Sequence, residues 1–304
     1  MKAAWYDRQG PAAEVLEVGD LPTVEPGPGE VRVRLSFSGV NPGDIKKRAG
    51  WRGSTMPYPR VVPHSDGAGV IDAVGRGVNG GRVGRRVWVY GAQSYRAMGT
   101  AAEYTVVPDD QAVDLPDGVP AEVGACLGIP GITAHRAVFA DGPVDGLTVL
   151  VHGERGAVGS LAAQLAEAAG AHVVVARRGA TAAEIKSEAP MGVDRVIEVS
   201  FGSNIDLNAQ VVAPGAVIAA YASADERPGI PYWPLAFDNV VIRLLGSDDF
   251  PPEAKRQAAR DLTAAAAAGR LAIPIAPPYR LDEIAAAHDA VGAGSRAGRV
   301  LLRL

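Results

Sequence analysis

The feature that most constrains this chain is a glycine triplet set between two apolar segments. Residues 149–160 read VLVHGERGAVGS, with Gly153, Gly156 and Gly159 spaced three apart. The apolar run LTVLVH (147–152) leads in, and SLAAQLAEAAGA (160–171) leads out. That succession reads as a buried strand, a tight turn and a helix. In a dinucleotide site the middle glycine lets the backbone approach a diphosphate, and the last lets helix and strand pack closely. Free N–H groups at the helix start, around Ala157 and Val158, then meet the phosphate charge. A glycine-rich turn that holds no ligand fits the same letters. Glu154 and Arg155 lie inside the turn, and a carboxylate there repels a diphosphate unless it faces solvent or pairs with Arg155.

The next apolar run, HVVVA (172–176), is followed by Arg177, Arg178 and Gly179. An Asp or Glu near this point holds the ribose 2′-hydroxyl of NAD, whereas arginines suit the 2′-phosphate of NADP. NADPH is therefore the expected cofactor, with two solvated loop arginines as the bland reading. Two more continuous apolar runs, DRVIEV (194–199) and GAVIAAYA (215–222), alternate with helical stretches at 156–170 and 252–269. Repeated strand–helix–strand units of this kind predict an α/β fold with a doubly wound parallel sheet.

The first third has a different texture. Val31, Val33, Leu35 and Phe37 alternate with Arg32, Arg34 and Ser36, the period of a half-buried strand. Shorter strand-like runs follow at 69–74, 86–90 and 102–107, separated by turns such as PGPGE (26–30) and NGGRVGR (79–85). A compact β-rich domain, closer to a barrel than to an α/β layer, is expected here. The last thirty residues offer a helix near 282–291 and a strand at Arg299–Leu304, and periodicity does not say which domain they join.

Composition removes several function classes. Thirty Lys+Arg against 34 Asp+Glu give a net charge of −4, without the basic excess of a nucleic-acid binder. No run reaches the roughly 18 apolar residues of a membrane span, and Asp7 and Arg8 interrupt any leader-like segment, so a cytoplasmic protein is expected. The single cysteine, Cys126, excludes an intrachain disulfide framework and a Cys-rich metal site, and the five histidines are scattered. No metal is expected.

Several stretches together resemble the medium-chain dehydrogenase/reductase superfamily, in its zinc-independent quinone-oxidoreductase (zeta-crystallin-like) branch. They are GVNPGDIKKRAGW (39–51), VVPHSDGAGVIDAVG (61–75), GTAAEYTVVP (99–108), GIPGITAHRAVF (128–139), the glycine turn, NIDLNAQVVAPGAVIAAYAS (204–223) and the closing AGRVLLRL. The resemblance implies a GroES-like catalytic domain from residues 1–120 and 270–304, a Rossmann NADP-binding domain from 121–269, and an active site in the cleft between them. It places Asn41 beside the nicotinamide and substrate, Thr133 near the nicotinamide or its ribose, and Tyr221 and Ser223 along the cofactor. Zinc-dependent relatives carry a catalytic Cys and a Gly-His-Glu where this chain reads VNPGD and HSD, so Ser65 replaces the ligand histidine. Lys46 stands where the family usually has an aromatic residue. With Lys47 and Arg48 it forms either a solvated face or a positive charge for the pocket, and Tyr95 and Arg96 are further pocket candidates.

Only thirteen residues separate Arg178 from Gly192, where relatives carry another helix and strand. One strand–helix unit is expected to be missing or reduced, with GVDRVIEV as the family's fourth strand rather than its third. The activity implied is NADPH-dependent hydride transfer to a quinone or other α,β-unsaturated carbonyl. An enoyl-thioester reductase is the nearest alternative. A non-redox binding protein, cyclase or lyase on the same fold is another, supported by Glu154 and the short span. A homodimer is expected through the strand-like VVIRLLG (240–246).

Overall fold

A computed structural model describes residues 1–294 and 297–304. Seven strands form before residue 115: β1 (Lys2–Trp5), β2 (Glu17–Asp20), β3 (Glu30–Gly39), β4 (Asp66–Val74), β5 (Arg86–Val89), β6 (Tyr104–Pro108) and β7 (Ala112–Asp114). Helices α1 (Ala12–Val15) and α2 (Pro42–Ala49) interrupt them. Helices α3 (Ala121–Gly124) and α4 (Ile129–Phe139) then lead to β8 (Thr148–His152), α5 (Ala157–Ala168) and β9 (His172–Ala176). Next come α6 (Ala182–Glu188), β10 (Val193–Glu198), α7 (Phe201–Val211), β11 (Val212–Ala220), α8 (Tyr232–Phe237) and β12 (Val241–Leu244). The chain closes with α9 (Pro252–Ala267), β13 (Tyr279–Arg280), α10 (Ile284–Ala293) and β14 (Leu301–Arg303). It forms two compact units, one of Met1–Ile129 with Ala259–Leu304 and one of Pro130–Ala258. Among the described residues no helix is long and apolar enough to cross a membrane.

The first unit is β-rich. Its larger sheet runs β13-β14-β3-β4-β5-β7, with β6 also paired to β3. The alternation in β3 is realised in burial: Val31, Val33 and Leu35 are in the core, whereas Arg34 is exposed. Arg32, on the outer face, donates to the Asp72 carboxylate on β4 at 3.0 and 3.1 Å. The tail returns to this unit, because β14 pairs antiparallel with β3 (Leu302 opposite Ser38).

The second unit holds a parallel sheet ordered β12-β11-β10-β8-β9. Leu150, Val174, Val196 and Ile218 from four strands pack with Ile185 of α6 and Phe201 and Ile205 of α7. The doubly wound order 3-2-1-4-5-6 is reproduced here without its third strand. β10 pairs with β8 (Val196 opposite Leu150) on the side away from β9, and with β11 on its other flank. DRVIEV is therefore the fourth strand of the pattern. The short span after Arg178 makes only α6, whose N-cap Thr181 exchanges hydrogen bonds with Glu184. With no strand formed there, β9 is left as a sheet edge.

Candidate functional site

The three glycines of the turn answer three different demands. Gly153, just past β8, has φ +73°, the left-handed region that glycine enters without a Cβ penalty. Gly156 is the N-cap of α5, and its N–H donates to the Gly153 carbonyl at 2.8 Å. A Cβ on Gly159 would lie 2.2 Å from that same carbonyl oxygen, so only glycine lets the helix close on the strand. Ala157 and Val158 open α5, where backbone N–H groups lack intrahelical acceptors.

This turn lines a cleft of about 1010 Å³ beyond the C-terminal ends of the parallel strands. That is where ligands bind in open α/β sheets. Arg177 and Arg178 line the same cleft; both are exposed, and neither has an ion-pair partner among the described residues. Glu154 also faces the cleft, with Arg155 Nε 3.6 Å from its carboxylate. The Arg155 side chain is exposed, so its charge sits outside the carboxylate and offsets it. The residues present fit a dinucleotide: Gly153 and two unspent guanidiniums line one cavity, and the chain passes from that turn directly into the N-terminus of α5.

Beneath the cleft lies a carboxylate that sequence reasoning missed. Glu198, at the end of β10, is fully buried and accepts from the Ser200 N–H, from Asn204 Nδ2 at 2.9 Å and from Asn208 Nδ2 at 2.7 Å. His152 Nε2 donates to Asn208 Oδ1 at 2.8 Å. The signal was available, since Asn204 and Asn208 are four apart and so share a helix face. Tyr221 donates its backbone N–H to the Glu198 carbonyl at 3.0 Å. Burial first, and then the Glu198 charge, push its phenol pKa up. Ser223 donates its hydroxyl to the Asp225 carbonyl at 3.0 Å. Thr133 is buried within α4.

In the β-rich unit, Asn41 caps α2 and is buried, with both ends of its amide engaged. Its Nδ2 donates to Asp66 at 2.7 Å, its Oδ1 accepts from Arg299 at 2.9 Å, and its backbone N–H donates to Asp44 at 2.8 Å. The three cations after it diverge. Lys46 stacks its ammonium 4.5 Å over Trp51, Lys47 donates to Gln93 at 3.2 Å, and Arg48 is buried against His288. Tyr95 is 70% exposed with φ +55°, and its carbonyl accepts from the Tyr58 hydroxyl. Arg96 turns to Glu30 on β3 at 2.7 Å.

Comparison with known proteins agrees with this architecture. Residues 27–117 match the alcohol dehydrogenase GroES-like domain, and residues 169–302 match the zinc-binding dehydrogenase family. The quinone oxidoreductase of Homo sapiens is 30% identical over 318 residues, covering 96% of this chain and 94% of that protein. The chain belongs to the medium-chain dehydrogenase/reductase superfamily, in its quinone oxidoreductase branch. A mycobacterial quinone oxidoreductase structure superposes with a TM-score of 0.87 at 25% identity, covering all of both chains. A mycobacterial structure complexed with NADPH gives a TM-score of 0.84 at 24% identity, again covering all of both chains.

For a dehydrogenase of this superfamily the donor set bears on zinc. Among the described residues no three His, Cys, Asp or Glu side chains are grouped to hold a metal ion. His64, next to Ser65, has both ring nitrogens committed, at 2.8 Å to Ser38 Oγ and 2.9 Å to His288 Nε2.

Proposed function

We propose that this chain is an NADPH-dependent, zinc-independent oxidoreductase that transfers hydride to a quinone or another α,β-unsaturated carbonyl. The observation that carries this reading is the pair Arg177–Arg178, unpaired at the rim of the cleft that the glycine turn floors. Bound NADPH supplies the hydride. The N–H groups of Ala157 and Val158 hold the diphosphate, and the two guanidiniums hold the 2′-phosphate through charge-assisted hydrogen bonds. The NADPH complex of the mycobacterial neighbour and the names of the quinone oxidoreductase relatives support the cofactor and the substrate class. Zinc is left without ligands by the commitments of His64 and by Asn41 and Ser65 at the positions where zinc-dependent relatives carry Cys and His.

Fluorescence titration tests the cofactor. The unmodified protein binds NADPH more tightly than NADH, and Arg177→Ala with Arg178→Ala removes about tenfold or more of that preference. No binding of either nucleotide at millimolar concentration sinks the reading. NADPH oxidation followed with a simple quinone and with a short enoyl-CoA separates the two reductase chemistries.

We also propose that it works as a homodimer. β12 is an edge of the parallel sheet and exposes Val241 and Leu244, and α8 before it exposes Tyr232, Trp233 and Phe237. Tyr232 meets Trp233 edge to face at 5.2 Å between ring centres, and Trp233 stacks on Phe237 at 5.8 Å. A contiguous apolar face along a free edge suits a second copy paired about a two-fold axis.

A further inference from the structure

Where the adenosine base of the cofactor rests follows from how its groups are joined. The diphosphate hangs on C5′ of the adenosine ribose, the 2′-phosphate on C2′ and the base on C1′. The base therefore lies within one sugar ring of both charged groups. Gly153 lines one part of the cleft of about 1010 Å³, and Arg177 and Arg178 line another. Most of the remaining wall comes from the end of β10 and the first turns of α7: Val199, Ser200, Ser203, Asn204 and Leu207. Every residue lining this cleft belongs to the unit Pro130–Ala258.

On that wall one polar group is held in a fixed direction and left unused. Asn204 Nδ2 donates to Glu198 Oε1 at 2.9 Å, and a carboxylate offers lone pairs but no proton. The amide therefore cannot turn over, and Oδ1 is the half left for the cleft. No donor among the described residues reaches this oxygen. Asn208, one turn on, is the contrast. Its Nδ2 donates to Glu198 Oε2 at 2.7 Å and its Oδ1 accepts from His152 at 2.8 Å, so both ends are satisfied in the core. Val199 and Leu207, both half-buried, give the same wall an apolar surface.

We propose that Asn204 selects the base of the cofactor: its Oδ1 accepts a hydrogen bond from the exocyclic 6-amino group of adenine, and buried Glu198 is the positioning residue that keeps it an acceptor. This rests on the dinucleotide reading above. Adenine joined to ribose carries ring nitrogens that accept and the 6-amino group as its only donor. An acceptor on the wall engages adenine at that group alone, while Val199 and Leu207 pack against the ring. A 6-oxo purine turns a lone pair toward Oδ1 at the same position and leaves both oxygens unpaired.

The test uses the full chain, with NADPH and its hypoxanthine counterpart as probes and calorimetry as the readout. The unmodified protein is expected to bind NADPH about tenfold more tightly than the hypoxanthine form, the cost of setting two acceptors face to face. Asn204→Leu, or Asn204→Ala should the larger side chain disturb α7, is expected to bind the two within threefold of each other. Glu198→Gln, whose amide can donate as well as accept, lets Asn204 turn over and is expected to give an intermediate ratio. Each variant should keep its preference for NADPH over NADH, since Arg177 and Arg178 are untouched. That control separates loss of base selection from loss of the cleft. The proposal is overturned if the unmodified protein binds both probes within threefold. It is equally overturned if an Asn204 variant that keeps the NADPH preference still discriminates tenfold, and full discrimination in Glu198→Gln removes Glu198 from the scheme. A protein that binds neither dinucleotide fails the cofactor reading itself, and the proposal with it, a result distinct from equal binding of the two bases.

Discussion

The Nε2 atoms of His64 and His288 lie 2.9 Å apart inside the β-rich unit, so one of them must be bare. Arg48 decides which. Its Nε donates to His288 Nδ1 at 3.3 Å, which leaves the His288 proton on Nε2, pointing at His64. His64 in turn donates from Nδ1 to Ser38, Ser38 to Thr100, and Thr100 to the Asp66 carbonyl, at 2.8, 2.8 and 2.6 Å. Every proton in this buried chain has one direction.

A proton added to either ring would set two donors against each other. Burial and then the neighbouring charge lower the His288 pKa to about 3, and burial and then His288 hold His64 well below its ordinary value. The unfolded histidines titrate near 6.5. The stability these groups contribute is thus present above about pH 6.5 and lost as pH falls, by about 1.4 kcal/mol per pH unit for each histidine. Urea unfolding between pH 5 and 8 measures this. In His288→Leu, which strands Arg48 Nε, the acid dependence should shrink by one proton, with a loss of about 3 kcal/mol at pH 7.

Asp44 works in the opposite sense. Burial first, and then the Asp66 charge, push its carboxyl up to about 7. The folded state therefore holds a proton that the unfolded chain releases near 4, and this contribution is lost as pH rises through about 7. Asp44→Asn should gain on the unmodified protein by about 1.4 kcal/mol per pH unit between roughly pH 4 and 7. It also removes the counter-slope that masks one of the two histidines. Equal stability differences at pH 5 and pH 8 would show that Asp44 titrates normally.

The close approach of α5 to β8 makes Gly159 the least replaceable residue of the turn. Gly159→Ala places a methyl 2.2 Å from the Gly153 oxygen, so helix and turn must separate. The expected result is a drop in NADPH affinity of tenfold or more and a stability loss of about 1–3 kcal/mol. Nucleotide fluorescence and thermal unfolding read the two effects separately.

At the far edge of the sheet, Leu244 is 74% exposed and Phe237 77% exposed. Leu244→Lys or Phe237→Lys places a charge in the proposed two-fold contact. Light scattering should show monomer in place of dimer, with the folded stability of each unit changed by less than about 0.5 kcal/mol, as for a surface site. A variant that stays dimeric would place the contact elsewhere.

The local spacing of residues carried far into the structure. The glycine turn, the alternation at Val31–Phe37 and the continuous runs at β8 to β11 each became the expected element, because turn chemistry and side-chain period act between neighbours. The thirteen residues after Arg178 pointed to a strand–helix unit that is missing or reduced, and in the structure they form α6 and its two connections with no strand. Other relationships join residues far apart in the chain. Arg299 meets Asn41 across 258 positions and His288 meets His64 across 224, and nothing in the letters around any of the four marks the pairing. Glu198 reads as one more strand residue until α7 folds back and brings two amides over it. The sequence by itself determined which segments are strands, turns and helices and where a diphosphate could rest. Tertiary packing alone decided which buried charges share a neighbour, because that depends on how separate elements are stacked and not on the order in which they are written.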